Sequence, residues 1–488
     1  MSGELEKDMN KAMTMIRRTG EDGGGLSHGR KQIDYTAIAD GYKHDFNCEV
    51  RWAKGVFYEY SPEDGYWRPH TQSQISARVA DFLNGAPEVN GSPVIYNKNT
   101  EANVVGSLRG TKDVDTVPPV FLDTGARADS WAAMRNGILD MEAAARGDGK
   151  LLPFSQNFFS SRHFQFAWMP DAACPLFMRY LEEVQPEEDG REMLQLLAGM
   201  LLVPDTSYNV FFILYGDGGC GKSSFLNILS AMLGEDNVCS VTLSEMAEKH
   251  TAYRLTRALA NLVDDSATVD GRSVSQSLTG AEGLLKRVTG GALIHCEPKG
   301  IDAWEAPAIA RCVFCQNPPL PQFVDRSDGL WDRLRVIPFP VRFRGAEKQD
   351  PELSKKIIRS ELPGVFAWAI RGLGKLRQYK IFPTCAAGKK LAEEHRMKCD
   401  IEKTFVLERY EVRSGVNLSS HDVYSDYRDW AEKRGYRFKN EGNFVGELLR
   451  VLPGVSGPMQ IRGADGRKMR FVNLAKRDDV CEELEEQA

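Results

Sequence analysis

Gly216-Asp217-Gly218-Gly219-Cys220-Gly221-Lys222-Ser223 sets a lysine and a hydroxyl directly behind a run of glycines, in the pattern G-x-x-x-x-G-K-[ST]. Glycines let backbone N–H groups come close to phosphate oxygens, and a helix that starts at the lysine turns its positive dipole end toward an anion. With Ser224, these residues form a nucleotide-binding loop in which Lys222 neutralises the β and γ phosphates of ATP and Ser223 ligates Mg2+. Leu259-Ala260-Asn261-Leu262-Val263 delivers two carboxylates, Asp264 and Asp265, after a solid apolar run. Asp264 would hold Mg2+, and Asp265 would orient or deprotonate the attacking water. Asn317 ends the next apolar run, where it either touches the γ phosphate and positions water or simply closes a strand before Pro318. Arg333 and Arg335 flank Leu334, and in a closed ring such an arginine reaches the neighbouring subunit's γ phosphate; on charge alone both are surface residues.

These groups need a frame. Val210 to Tyr215, Leu259 to Val263, Ile309 to Cys315 and Leu334 to Phe339 are continuous apolar runs separated by helical patterns, which is the signature of a parallel sheet covered on both faces. Behind the glycine loop, Phe225, Leu226, Ile228, Leu229, Met232 and Leu233 share one helical face that stops at Gly234. The fold class is therefore α/β. Upstream, Val56 to Tyr60 alternates toward a turn at Ser61 to Gly65 and resumes at Tyr66-Trp67, a hairpin pattern, and a helix follows over Gln74 to Leu83. Cys174 to Leu202 carries helical apolar spacing at Phe177, Tyr180 and Leu181, then Met193, Leu194, Leu197 and Met200. The divisions expected are a flexible arm over 1–45, a mostly helical N-terminal domain over 46–205, the motor over 206–345, a helical subdomain and linker over 346–400, a compact unit over 401–475 and an acidic tail over 476–488.

Composition narrows the class. The chain has 488 residues, 42% of them apolar and 27% charged, with no apolar stretch of membrane-spanning length and no secretory leader at Met1. A soluble, cytoplasmic protein without membrane partners is expected. A net charge of −6 excludes coating of nucleic acid by bulk electrostatics, so any DNA contact must be local. Among ten cysteines the close pair Cys312 and Cys315 lacks companions for a zinc site, so the thiols are read as reduced.

Further text is more specific: Leu285-Lys286-Arg287-Val288-Thr289-Gly290-Gly291, then Glu297-Pro298-Lys299-Gly300, then Asn317-Pro318-Pro319, then Asp325 to Leu334. Together with the glycine loop and the carboxylates, this succession resembles the superfamily 3 helicases of the phage and plasmid primase-helicase family with its poxvirus-type relatives. The resemblance implies an AAA+-type motor assembling as a homo-hexamer, with single-stranded DNA in its channel, Lys299 at the tip of a DNA-gripping hairpin, Lys286 as a contact for DNA or a neighbouring subunit, and Arg333 as the finger. Without that register Lys299 is a solvated turn lysine and Lys286 an outward-facing one. Val423 to Trp430 and Asn443 to Leu449 resemble the winged helix that ends many members, with Asn443 capping a short helix, the wing at Ala464-Asp465-Gly466, and Arg462, Arg467, Lys468 and Arg470 around it. Three departures stand out: Asp265 where glutamate is common, Asp332 in place of one arginine of a pair, and Ala292 where an aspartate is frequent.

The function this implies is an ATP-dependent helicase of phage or plasmid replication acting on single-stranded and forked DNA. No paired-carboxylate and histidine set before Thr206 suggests primer synthesis, so a separate primase or polymerase is an expected partner. The competing reading is an origin-binding initiator or loader ATPase that remodels DNA or recruits a helicase; a small-molecule kinase lacks support from any acceptor-site signature.

Overall fold

The computed structural model of the chain describes residues 33–53, 55–85, 96–110, 118–248, 250–264, 274–297, 303–321, 323, 325, 327–343, 350–413, 418–434, 436, 438–451, 455, 459–462 and 468–477. Two compact units result, residues 1–52 with 71–113 and residues 53–70 with 114–488. In the smaller unit the helices Tyr35–Asp45, Gln72–Gly85 and Lys98–Gly110 bury Ile38, Tyr42, Ile75, Val79, Val104 and Leu108. Asp34 starts the first of them, its Oδ1 accepting the Thr36 and Ala37 N–H groups at 3.0 Å, which satisfies donors a helix start leaves open.

In the larger unit, Val56–Ser61 and Tyr66–His70 form the antiparallel hairpin that their alternation predicts. The mostly helical character expected of the N-terminal region does not extend through this unit. Trp131–Met134 pairs with Gly137–Asp140, which also pairs with Leu151–Leu152, and Val120–Phe121 pairs with Phe158–Phe159. Between the first two of these strands Arg135 and Asn136 reverse the chain, and Gly137, the first residue of the second, takes φ +144°, where a Cβ would also lie 2.6 Å from the Leu152 carbonyl oxygen. The helical spacing further on does form helices, α1 (Pro175–Val184) and α2 (Glu188–Met200).

The chain then runs through β1 (Phe211–Tyr215), α3 (Lys222–Leu233), β2 (Val238–Cys239), β3 (Ala260–Val263), α4 (Val274–Thr289), the hairpin β4 (Leu293–Cys296) and β5 (Trp304–Pro307), β6 (Arg311–Gln316) and β7 (Leu334–Pro338), and five of these strands form a parallel central sheet. The sheet order is β2-β3-β6-β1-β7, and β4 pairs only with β5, antiparallel. Numbered by sequence within the sheet, that order is 5-1-4-3-2 read from the β7 edge. Alternation along each strand splits the apolar runs between two cores. Phe212, Leu214, Val313 and Cys315 face the layer that holds α1, α2 and α3, whereas Phe211, Ile213, Cys312 and Phe314 face Leu285, Val288 and Ile294. Cys312 and Cys315 thus point into different layers.

Beyond β7 come α5 (Leu353–Ser360), α6 (Leu362–Leu376) and α7 (Ala386–Cys399). Helix α6 is no detached linker: Val365, Phe366, Trp368, Ala369 and Leu373 enter the first core. It crosses α2 at Gly199 and Gly372, where a Cβ on either glycine would overlap the other helix's backbone. The remaining helices, Ile401–Arg409, Ser420–Lys433 and Glu441–Val451, enclose a core of their own with Phe405, Trp430 and the stacked rings of Tyr427 and Phe444, 4.3 Å apart. Leu418–Ser419, Lys468–Val472 and Met459–Arg462 form an antiparallel sheet beside it; the turn at 464–466 lies outside the described residues. The last helix is capped by Asn440, not Asn443, because the Asn440 Oδ1 accepts the Asn443 N–H at 3.0 Å and the helix begins at Glu441. Among the described residues no helix is long and apolar enough to cross a membrane.

Candidate nucleotide site

β1 ends at Tyr215 and α3 begins at Lys222, so the glycines span the step from strand to helix at the carboxyl edge of the sheet. Two of them carry conformations that side chains resist: Gly219 has φ +85° and Gly221 φ +100°. Close packing constrains Gly216, whose Cβ would lie 2.5 Å from the Phe339 carbonyl oxygen. The loop is held from outside as well, by the Phe343 N–H donating to the Gly219 carbonyl at 2.9 Å and the Tyr180 hydroxyl donating to the Gly221 carbonyl at 2.8 Å.

Inside the loop lies a cavity of about 320 Å3, lined by Gly218 to Ser224 together with Asp264, Cys315 and Asn317. The Lys222 ammonium donates to Gly216 O at 2.6 Å, Asp217 O at 3.0 Å and Asn317 Oδ1 at 3.0 Å. Ser223 Oγ donates to Asp264 Oδ1 at 2.8 Å. Four residues named from sequence, Lys222, Ser223, Asp264 and Asn317, therefore meet in one pocket although they come from α3, the end of β3 and the end of β6. Burial, reinforced by the neighbouring Asp264 carboxylate, pushes the Cys315 thiol far above the ordinary cysteine range, so this wall of the pocket is neutral and weakly polar.

Hard oxygen donors are what Mg2+ takes, with few protein ligands and the rest water or phosphate. The Ser223 hydroxyl and Asp264 carboxylate, adjacent at the pocket wall, fit that requirement.

The other expected residues lie elsewhere. Arg333 precedes β7 at the opposite edge of the sheet; its Nη1 donates to the Gly329 carbonyl, and its buried Nε has no hydrogen-bond partner. Arg335 is only 7% exposed and is tied to three carbonyls, Phe382 at 3.1 Å, Asp332 at 2.7 Å and Leu334 at 3.0 Å, so it is a structural residue of this protomer. Lys286, in α4, is ion-paired with Asp325 and donates to Ser327 Oγ at 3.2 Å. Asp265 and Lys299 lie outside the described residues; in sequence Lys299 falls between β4 and β5. The root of that hairpin is fixed on both sides: His250 Nδ1 lies 2.6 Å from the Glu297 carbonyl oxygen, and the Arg257 guanidinium lies over the Trp304 ring.

Sequence reasoning did not find Tyr180 or Cys315 at the site. Tyr180 sits on an apolar helical stripe and reads as core; nothing in its spacing signals a hydroxyl aimed at the loop.

Comparison with known proteins gives two matched stretches of the chain. Residues 214–333 match a family of unknown function (DUF5906), and residues 36–186 match a family described as D5 N terminal like. Two viral proteins that carry the name putative helicase are similar in sequence. L207/L206 of Acanthamoeba polyphaga mimivirus is 26% identical over 375 residues, covering 70% of this chain and 37% of that protein. For 121R of Invertebrate iridescent virus 3 the identity is 22% over 331 residues, covering 61% and 34%. The chain thus spans about a third of the length of these relatives. Among solved structures, the apo C-terminal region of NrS-1 superposes with a TM-score of 0.51 at 12% identity, covering 91% of this chain and 100% of that one, a likeness of fold. A second form of the same region gives 0.50 at 11%.

Proposed function

Because the chain belongs to the phage and viral primase-helicase family, we propose that it is an ATP-driven DNA helicase of the superfamily 3, AAA+ type, working as a homo-hexameric ring on single-stranded DNA. The observation that carries this reading is the convergence of Lys222, Ser223, Asp264 and Asn317 on one pocket at the carboxyl edge of a parallel sheet, where nucleotides bind in open α/β folds.

In this reading the loop N–H groups and the start of α3 receive the ATP phosphates. Lys222 exchanges its carbonyl partners for β and γ phosphate oxygens while keeping the Asn317 amide oxygen, which holds the ammonium in place. Ser223 and Asp264 would hold Mg2+, which would offset phosphate charge. Asp265, next in sequence, orients the attacking water or takes its proton. Asn317 positions that water between the carboxylates and the phosphate. Arg333 completes the site of an adjacent subunit. The β4–β5 hairpin, with Lys299 in its turn, grips DNA and moves with hydrolysis, and Lys286 becomes a DNA or subunit contact if its pair with Asp325 opens. The three-helix C-terminal module with its small antiparallel sheet is read as a winged helix that binds DNA or a partner protein.

ATP-dependent strand displacement on a forked duplex, abolished by Lys222→Ala, tests the proposal. DNA-stimulated ATP hydrolysis without displacement would favour an initiator or loader instead.

A further inference from the structure

We infer that Tyr180, on a helix that precedes the motor's sheet, is a positioning residue for the nucleotide, fixing the Gly221–Lys222 peptide so that the Lys222 N–H faces the phosphates. This rests on reading the pocket as a nucleotide site.

The Gly221 carbonyl oxygen accepts twice, from the Phe225 N–H at 3.0 Å, which closes the first turn of α3, and from the Tyr180 hydroxyl at 2.8 Å. A carbonyl oxygen has two lone pairs, so both are engaged and the peptide plane is set. In a trans peptide the N–H points away from the carbonyl, which turns the Lys222 N–H to the pocket side. That restraint matters here because Gly221, at φ +100°, is a residue whose backbone could otherwise turn freely. Val184, one turn further along α1, occupies the space a side chain at 221 would need, with a Cβ there 2.7 Å from its Cγ1.

Helix α1 is itself anchored on both ends. The buried Glu361 carboxylate accepts the Leu176 and Phe177 N–H groups at 3.0 and 2.9 Å, and Gln185 Nε2 donates to the Pro338 carbonyl at 2.7 Å. The hydroxyl therefore comes from a fixed element and not from a mobile one. Burial holds the Tyr180 phenol well above its usual range, so it remains a donor at any working pH.

An N–H contact to the β phosphate is present in ground and transition states alike, so its loss raises KM more than it lowers kcat. Tyr180→Phe in the full chain, which keeps the ring, is expected to weaken MgADP binding about tenfold and raise the KM for ATP by a similar factor, with kcat within about twofold. Leu181→Val trims the same helix's core face without touching the loop and should leave MgADP affinity within about twofold of wild type. Wild-type affinity in Tyr180→Phe, or an equal loss in Leu181→Val, would overturn the inference. The nucleotide reading has a separate failure: wild type and Lys222→Ala binding MgADP equally well, or neither binding it.

Discussion

The Lys222 ammonium lies 3.0 Å from Asn317 Oδ1, so the helix after β1 and the residue closing β6 meet by a charge-assisted hydrogen bond across the pocket. Adjacent strands of a parallel sheet bring their carboxyl ends to one edge, which is why residues so distant in sequence can bond to each other.

Removing that partner should affect chemistry more than binding. Asn317→Ala is expected to lower kcat of DNA-stimulated ATP hydrolysis by about a hundredfold and to change KM less than about threefold. A change confined to KM would place Asn317 in binding alone.

A shared site can be tested by mixing. Arg333→Ala and Lys222→Ala proteins, each inactive, should regain part of the ATPase rate when combined, because some junctions then hold an intact loop and an intact arginine. No recovery at any ratio would count against an arginine acting across a subunit boundary.

Two helical glycines, one at the crossing of α2 and α6 and one at an open position, should respond in opposite ways. Gly372→Ala meets the Gln195 backbone and should cost about 1–3 kcal/mol in urea unfolding. Gly446→Ala, at an exposed position of the helix Glu441–Val451 with open space around it, should stabilise by about 1 kcal/mol. Equal effects at the two sites would contradict the packing described.

His395 gives a pH dependence. Burial, opposed by its bond to the Pro321 carbonyl at 2.8 Å, holds its pKa below the ordinary histidine value. The unfolded chain then binds the proton more tightly, so this contribution to stability is complete above about pH 6.5 and declines as pH falls below it, by at most about 1.4 kcal/mol per unit. The stability advantage of wild type over His395→Gln should shrink between about pH 7.5 and 5. A constant or growing advantage would mean that His395 is not held neutral.

Much of the centre was legible because its signals are local. The glycine loop, the four continuous apolar runs of the central sheet and the helices α1 to α3 each declare themselves by composition or period. What escaped depends on less. β2 is two residues long and exists because β3 offers it an edge. The small sheets after Val120 are made of two- to four-residue strands, too short for period to speak. Asn440 and Asn443 are equally good caps on paper; the first helical residue decides between them. Tyr180 could not be read at all, since its role depends on where α1 packs.

β7 runs beside β1 in register, with Leu334 opposite Phe211 and Pro338 opposite Tyr215. Arg333 stands before the first of these pairs and the glycine loop follows the last, so five strand residues, roughly 16 Å, separate them. The sheet acts as a spacer of fixed length between a giving end and a receiving end. A lone protomer cannot fold one end onto the other, and if Arg333 serves the proposed ATP hydrolysis the working unit is a junction between two chains, and specific activity would fall on dilution.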